Sequence, residues 1–219
     1  MRPMRTLAVT VLLALVLAPG LVAAKKNPGA VLRHKPGPES VEERPVATEV
    51  QVRSGAAGFV VQLTFDKAPF GDTCKNRCAN ATVYLDTDNT KGTGLQVGSA
   101  ASGADLAITV QGVRDWGEQG TKDSIRVRIR HLAGQPKSLE EGDVLAELDH
   151  ARDAEIVSVK DNTVTVKVDP HAADLPAGKT ARAIYQPPGS KALTGTLPGL
   201  LAPTRGGGRN VEVMRGGQR

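Results

Sequence analysis

The chain has 219 residues and a formal net charge of +5, enough length for one sizeable domain with tails. The charge excess lies at the ends: Arg2 and Arg5 open the chain, Lys25 to Pro45 carries a net +2 and the stretch after Pro203 a net +3, so the body from Val46 to Pro203 is near −2. This excludes a basic body built for nucleic acid. Aromatic residues, at 3%, are too few for a broad stacking platform for long sugar chains or single strands, and the core must rest on Val, Leu, Ile and Ala.

In chain order, Arg2 and Arg5 precede an apolar run from Leu7 to Leu17, a Pro19-Gly20 break and Val22-Ala23-Ala24. Basic region, short apolar core and small-residue cleavage site together predict a secretory signal peptide over 1–24 and a secreted or periplasmic protein. The run is shorter than the roughly 20 apolar residues a transmembrane helix needs, and no later segment reaches that length, so no transmembrane segment is expected after cleavage. Residues 25–45, with Pro28-Gly29 and Pro36-Gly37-Pro38, read as a flexible lead-in.

Order is expected from Val46. Thr48 to Arg53 and Phe59 to Phe65, joined through Ser54 to Gly58, form a first hairpin with Val50, Val52, Phe59, Val61, Leu63 and Phe65 inward. The following loop holds Cys74 and Cys78, which in an oxidising compartment suit a small disulfide; their three-residue spacing differs from the two-residue spacing of common redox and zinc pairs. Ala81 to Asp86 turns Ala81, Val83 and Leu85 inward, and after a long loop Leu106, Ile108 and Val110 do the same. Arg114 to Thr121 reads as a turn carrying Trp116, and Ser124 to Leu132 alternates Ile125, Val127 and Ile129 with Arg126, Arg128 and Arg130.

Leu139 to Asp149 is ambiguous: Ser138 and Glu141 suit a capping box, but Gly142 and the alternation of Val144, Ala146 and Leu148 favour a strand. Ala154 to Lys160 and Thr163 to Val168 flank Asp161-Asn162, a two-residue hairpin turn. A helical turn is expected from Pro170 to Leu175, and Thr180 to Tyr185 is the last strand. Residues 186–219, rich in Pro, Gly and Arg, read as a mobile tail. Eight or nine short strands over 46–185 with no strong helix predict an all-β, two-sheet antiparallel sandwich, Ig-like or jelly-roll-like, between disordered tails.

Asp86, Asp88 and Asn89, followed by Gly92 and Gly94, suggest a calcium loop. The EF-hand pattern fails at its sixth position, Lys91, and its twelfth, Val97, where Gly and a bidentate Glu are required. Pairing of the flanking strands nevertheless brings Asp105 back to Asp86, and their like charges need calcium, Lys91 or separation into solvent to relieve repulsion. Asp86, Asp88, Asn89 and Asp105 offer the oxygen ligands a hard cation prefers; the same residues also form Asx turns with their own backbone.

The segments Tyr84-Leu85-Asp86-Thr87-Asp88-Asn89, Thr93-Gly94 and Gly103-Ala104-Asp105-Leu106-Ala107-Ile108 resemble bacterial secreted β-sandwiches of the DOMON-like and family 9-like carbohydrate-binding-module type, and Asn162 to Val166 is similar to their penultimate strand. The resemblance spans Val46 to Tyr185. It implies a sandwich of about nine strands, often ligand-binding and sometimes calcium-stabilised. The paired tryptophans of sugar-binding members and the Met and His haem ligands of redox members have no counterpart here.

Trp116 can stack on a sugar or plug the core end, and Arg126, Arg128 and Arg130 either grip an acidic polymer or form a solvated face. His34, His131, His150 and His171 show no metal-protease spacing, and there is no Gly-x-Ser-x-Gly elbow. The expectation is an exported, non-catalytic binding module that recognises a carbohydrate or envelope ligand through its end loops. The alternatives are an envelope scaffold without a small ligand and, third, a hydrolase.

Overall fold

The computed structural model describes residues 29–36, 44–55, 58–71, 78–98, 101–117, 120–169, 178 and 180–199. The signal-like segment, Cys74, the expected helical turn at 170–175 and the Arg/Gly-rich end all lie outside the described residues, as therefore does the Cys74–Cys78 pairing. No described helix is long and apolar enough to cross a membrane.

The strands are β1 (Ala30–Arg33), β2 (Ala47–Gly55), β3 (Gly58–Phe65), β4 (Asn80–Asp86), β5 (Leu95–Val97), β6 (Ala101–Ala104) and β7 (Leu106–Gly117), followed by β8 (Gly120–His131), β9 (Asp143–Asp149), β10 (Val157–Lys160), β11 (Thr163–Val168), β12 (Thr180–Tyr185) and β13 (Leu193–Pro198). Sheet A runs β1, β2, β3, β11, β10 and sheet B runs β13, β12, β4, β7, β8, β9, while β5 and β6 pair separately. Neighbours are antiparallel throughout. The two large sheets pack face to face, so the predicted β-sandwich is the fold.

Alternation places the core. Val50, Val52, Val61 and Leu63 from sheet A meet Val83, Leu85, Ile108, Val110 and Ile125 from sheet B, all fully buried. The inward residues expected on these strands are the buried ones, because period-two side chains on a sheet covered on one side leave no other register. Asp161 takes a positive φ of 52° in the turn between Lys160 and Thr163, as the two-residue hairpin requires.

Four readings are corrected. The lead-in contributes β1 and the tail contributes β13, so the described sandwich extends from Ala30 to Pro198, these two edge strands adding to the nine that the two large sheets hold within 46–185. These edge strands close on each other: a Cβ at Gly195 would lie 2.8 Å from Ala30 Cβ and 2.9 Å from Leu32 Cδ2, an approach only glycine allows. Arg114 to Thr121 is not a free turn, since β7 runs through Trp116 to Gly117 and pairs Trp116 with Thr121 of β8. The segment at Leu139 divides: Leu139–Glu141 is a 3-10 turn whose Ser138 makes no side-chain cap, and β9 follows. A bulge opposite Ile129 and Arg130 shifts the register of β9, leaving Val144 exposed while Leu145, Ala146 and Leu148 pack on the core.

Candidate functional site

The outward face of sheet B carries the polar chemistry, and cross-strand register orders it in rows. One row runs Asn80, Gln111, Arg126, Asp149 and the next Thr82, Thr109, Arg128, Glu147, each crossing β4, β7, β8 and β9. The third row is Tyr84, Ala107, Arg130 and Val144, with Ile184 of β12 beside Tyr84. Beyond it Asp86 pairs with Arg182 across β4 and β12.

The third row is roofed at its Ile184, Tyr84 and Ala107 end. The loop after β4 returns as the β5–β6 hairpin, and Leu95, Val97 and Ala104 form a second apolar cluster with Ala107, Leu132 and Ile184, against which Tyr84 packs. Gly94 N–H donates to Gly134 O at 2.7 Å and Gln135 Nε2 to Gly92 O at 2.6 Å, tying the hairpin to the β8–β9 connection. Gly103 has φ +91°, and a Cβ there would lie 2.4 Å from Thr90 O and 3.1 Å from Asp86 Oδ2. The glycine thus lets the hairpin close over the carboxylate.

At that closure three predicted residues converge: the carboxylate oxygens of Asp86, Asp88 and Asp105 lie within 4.8 Å of one another. Asp86 and Asp105 are buried. The cation among them is one the sequence reading missed, Arg182, whose Nε donates to Asp86 Oδ2 at 2.9 Å and whose second guanidinium nitrogen reaches the same oxygen and Ser102 O. Lys91 is exposed. Asp105 Oδ2 accepts from Thr87 N at 2.8 Å and Thr87 Oγ1 at 2.9 Å. Asp88 Oδ1 accepts from Thr90 N at 2.8 Å, an Asx turn. Asn89 sits at φ 57° and donates through Nδ2 to Thr180 Oγ1 at 3.2 Å.

Burial pushes the Asp86 carboxyl above its usual range against the pull of Arg182 and the Thr90 N–H, and Asp88 adds to the rise. Burial likewise raises Asp105 against its two bonds from Thr87, with the charges of Asp88 and Asp86 adding to the effect. Three carboxylates gather where one guanidinium pairs with Asp86, and two of them, Asp86 and Asp105, are buried. Such a donor set suits a hard cation, with Asp86, Asp88 and Asp105 as the residues able to hold it.

The first two rows stay open. They line a groove of about 710 Å³ that also takes in Arg130, Leu139, Glu140 and Arg152, and none of its described lining residues is aromatic. Thr82 Oγ1 and Thr109 Oγ1 share a hydrogen bond of 3.0 Å. Arg128 meets Glu147 Oε1 at 2.7 Å, and Arg126 stands 3.9 Å from Asp149 Oδ2. Arg130 instead donates to two neutral carbonyls, Gly142 O at 2.9 Å and Glu140 O at 3.3 Å. The three arginines therefore share one groove, whereas Trp116 lies farther along β7, beyond Gln111, and its side chain is outside the described atoms.

Ser124, Asp149 and His150 also meet beside the groove. Ser124 Oγ donates to Asp149 Oδ2 at 3.0 Å, whereas His150 Nδ1 accepts the Ile125 N–H at 2.9 Å and stands 4.0 Å from Asp149 Oδ1. The serine is bonded to the acid and not to the ring, which is not the order of a nucleophile and its base. Burial works against the Asp149 carboxylate, but the Ala151 N–H, the Ser124 hydroxyl and nearby cations outweigh it and hold the carboxyl below its usual range.

No protein-family model, curated protein or solved structure matches the chain.

Proposed function

We propose that this chain is an exported, non-catalytic binding module that holds an extended polar ligand in the open groove of sheet B. The observation that carries the reading is the groove itself, about 710 Å³ lined by hydroxyl, amide, guanidinium and carboxylate groups in two cross-strand rows. Neutral donors and acceptors beside fixed cations recognise hydroxyl-rich chains, and a sheet face presents them at regular spacing. The likeness to DOMON-like and family 9-like carbohydrate-binding modules points to a carbohydrate or envelope polymer, and the signal-like first residues point to export. The ligand surface is then the face of the sheet rather than the end loops.

Calcium is the second part of the proposal. Asp86, Asp88 and Asp105 exceed Arg182 in charge, and a divalent cation would offset the excess while fastening the β5–β6 roof that bounds the groove. Isothermal titration against soluble polysaccharides tests the ligand clause, with saturable binding weakened by Thr109→Val as the expected result. Thermal melting in excess calcium and in chelator tests the metal clause, with a higher midpoint in calcium expected; identical midpoints would remove that clause alone.

A scaffold reading has one observation in its favour: Arg126 and Arg128 already face Asp149 and Glu147. It requires that no polysaccharide binds and that crosslinking recovers a protein partner through the same face.

A further inference from the structure

Resting on the groove reading, we infer that the ligand is an acidic polysaccharide, a polyuronate, anchored through a carboxylate at Arg130. Four arginines line the groove (Arg126, Arg128, Arg130 and Arg152) against three carboxylates. Arg128 is met by Glu147, Arg126 stands 3.9 Å from Asp149, and Arg152 is met at 3.0 Å by Asp153, outside the lining, so among the four it is Arg130 that lacks a carboxylate partner among the described residues.

Arg130 differs in kind. Its guanidinium is held by the carbonyls of Gly142 and Glu140, which orient it without neutralising it. No carboxylate of the described residues is within salt-bridge distance of it. A preoriented cation with neutral supports loses little freedom when an anion arrives, and a charge-assisted bond to a carboxylate is among the stronger polar contacts.

The rest of the lining selects the kind of anion. Arg126, Arg128 and Arg130 follow one another at strand spacing, about 7 Å apart, which suits a chain that repeats its charge. Thr82, Thr109, Asn80 and Gln111 beside them offer hydroxyls and amides to a hydroxylated backbone. The groove has no described aromatic to stack a flat neutral sugar or a nucleobase. An acidic peptide would satisfy the arginines and leave the hydroxyl and amide floor with fewer partners.

The test is titration of the full mature chain with polygalacturonate, its fully methyl-esterified neutral form and polyglutamate, at fixed ionic strength. Expected is binding to polygalacturonate that falls tenfold or more in Arg130→Gln and is unchanged in Arg33→Gln, an exposed arginine on the opposite sheet. Arg128→Gln, at a half-exposed site, should weaken binding in the same direction and decides the matter if Arg130→Gln melts early. Equal affinity for the neutral ester would overturn the polyuronate assignment and leave the groove reading standing. Polyglutamate binding as tightly as polygalacturonate would overturn it in favour of an acidic peptide. Absence of binding to either polysaccharide overturns both the assignment and the groove reading.

Discussion

One set of strands in sheet B presents two different surfaces on its outward side. Along β4 the outward positions pass from Thr82 to Tyr84 to Asp86, and along β7 from Ala107 to Thr109 and Gln111. Where Ala107, Tyr84 and Ile184 meet, the surface is apolar enough to recruit the β5–β6 hairpin as a roof; where Thr82, Thr109 and Arg128 meet, it stays in water. The same division separates the acids. Under the edge of the roof Asp86 and Asp105 lose their water and rely on Arg182 and Thr87, while in the open half Glu147 remains 61% exposed beside Arg128. Burial therefore decides what a carboxylate is worth here: under the roof a costly charge that demands a partner, and in the groove a cheap and exchangeable one.

The largest expected effect breaks the roofed side. Arg182→Met leaves Asp86 buried without its cation, and removing one partner of a buried pair costs about 3–5 kcal/mol. The double variant Asp86→Asn with Arg182→Met should recover most of that in urea unfolding, because no isolated charge remains. If the single variant unfolds at the wild-type midpoint, Asp86 is not desolvated as described. Next in size is Ile184→Ala, which removes a fully buried side chain from the second apolar cluster and should cost about 2–5 kcal/mol. Thr109→Ala, in the open half of the same face, is expected to stay within about 1 kcal/mol. Equal losses would mean that the two halves are not distinct.

A pH series sharpens the contrast between the two kinds of acid. Asp86 and Asp105 have folded pKa values raised by burial, so their contribution to stability is present below the unfolded carboxylate pKa and is lost as pH rises through the folded value. Asp149 and Asp153 are lowered, Asp153 chiefly by its bonds from Arg152, and their contribution runs the other way, present above the unfolded value and lost as pH falls through the folded one. Asp105→Asn keeps an acceptor for the Thr87 donors and removes the charge. In chelator its melting midpoint should exceed wild type at pH 7 and converge with it near pH 3. Should calcium bind, the order at pH 7 reverses when calcium is added, since the variant has lost a ligand.

Much of this was readable in the chain, and the unreadable parts share a physical cause. Ile125, Val127 and Ile129 alternating with three arginines identified β8, and a two-residue period over seven or more residues suffices to assign a face. The meeting of Asp86 with Asp105 followed from pairing β4 with β7. By contrast β1 has only Ala30 and Leu32 to bury, and β13 contains Gly195 and ends at Pro198, so neither carries a pattern that stands out from a linker. Their order comes from closing on each other. Arg182 was hidden for a similar reason: a lone arginine between Ala181 and Ala183 reads as a solvent-facing strand residue, and only the register of β12 against β4 brings it to Asp86. The Leu145 bulge is likewise set by the register of β9 against β8.

The smallest expected effect lies in the open half and bears most directly on function. Glu147 accepts from Arg128 Nε at 2.8 Å with both side chains half or more exposed, and pairs of that kind contribute about 0–1 kcal/mol. Glu147→Gln should therefore move the melting midpoint by no more than about 4 °C. It also removes an anion that competes with any acidic ligand for Arg128, so affinity for polygalacturonate should rise by up to about fivefold, the equivalent of that same 1 kcal/mol. The two readouts part company: stability nearly constant and affinity increased is the behaviour of an exchangeable partner in a binding groove. A marked fall in stability with no change in affinity would instead make Glu147 structural, and the open half would then resemble the roofed one.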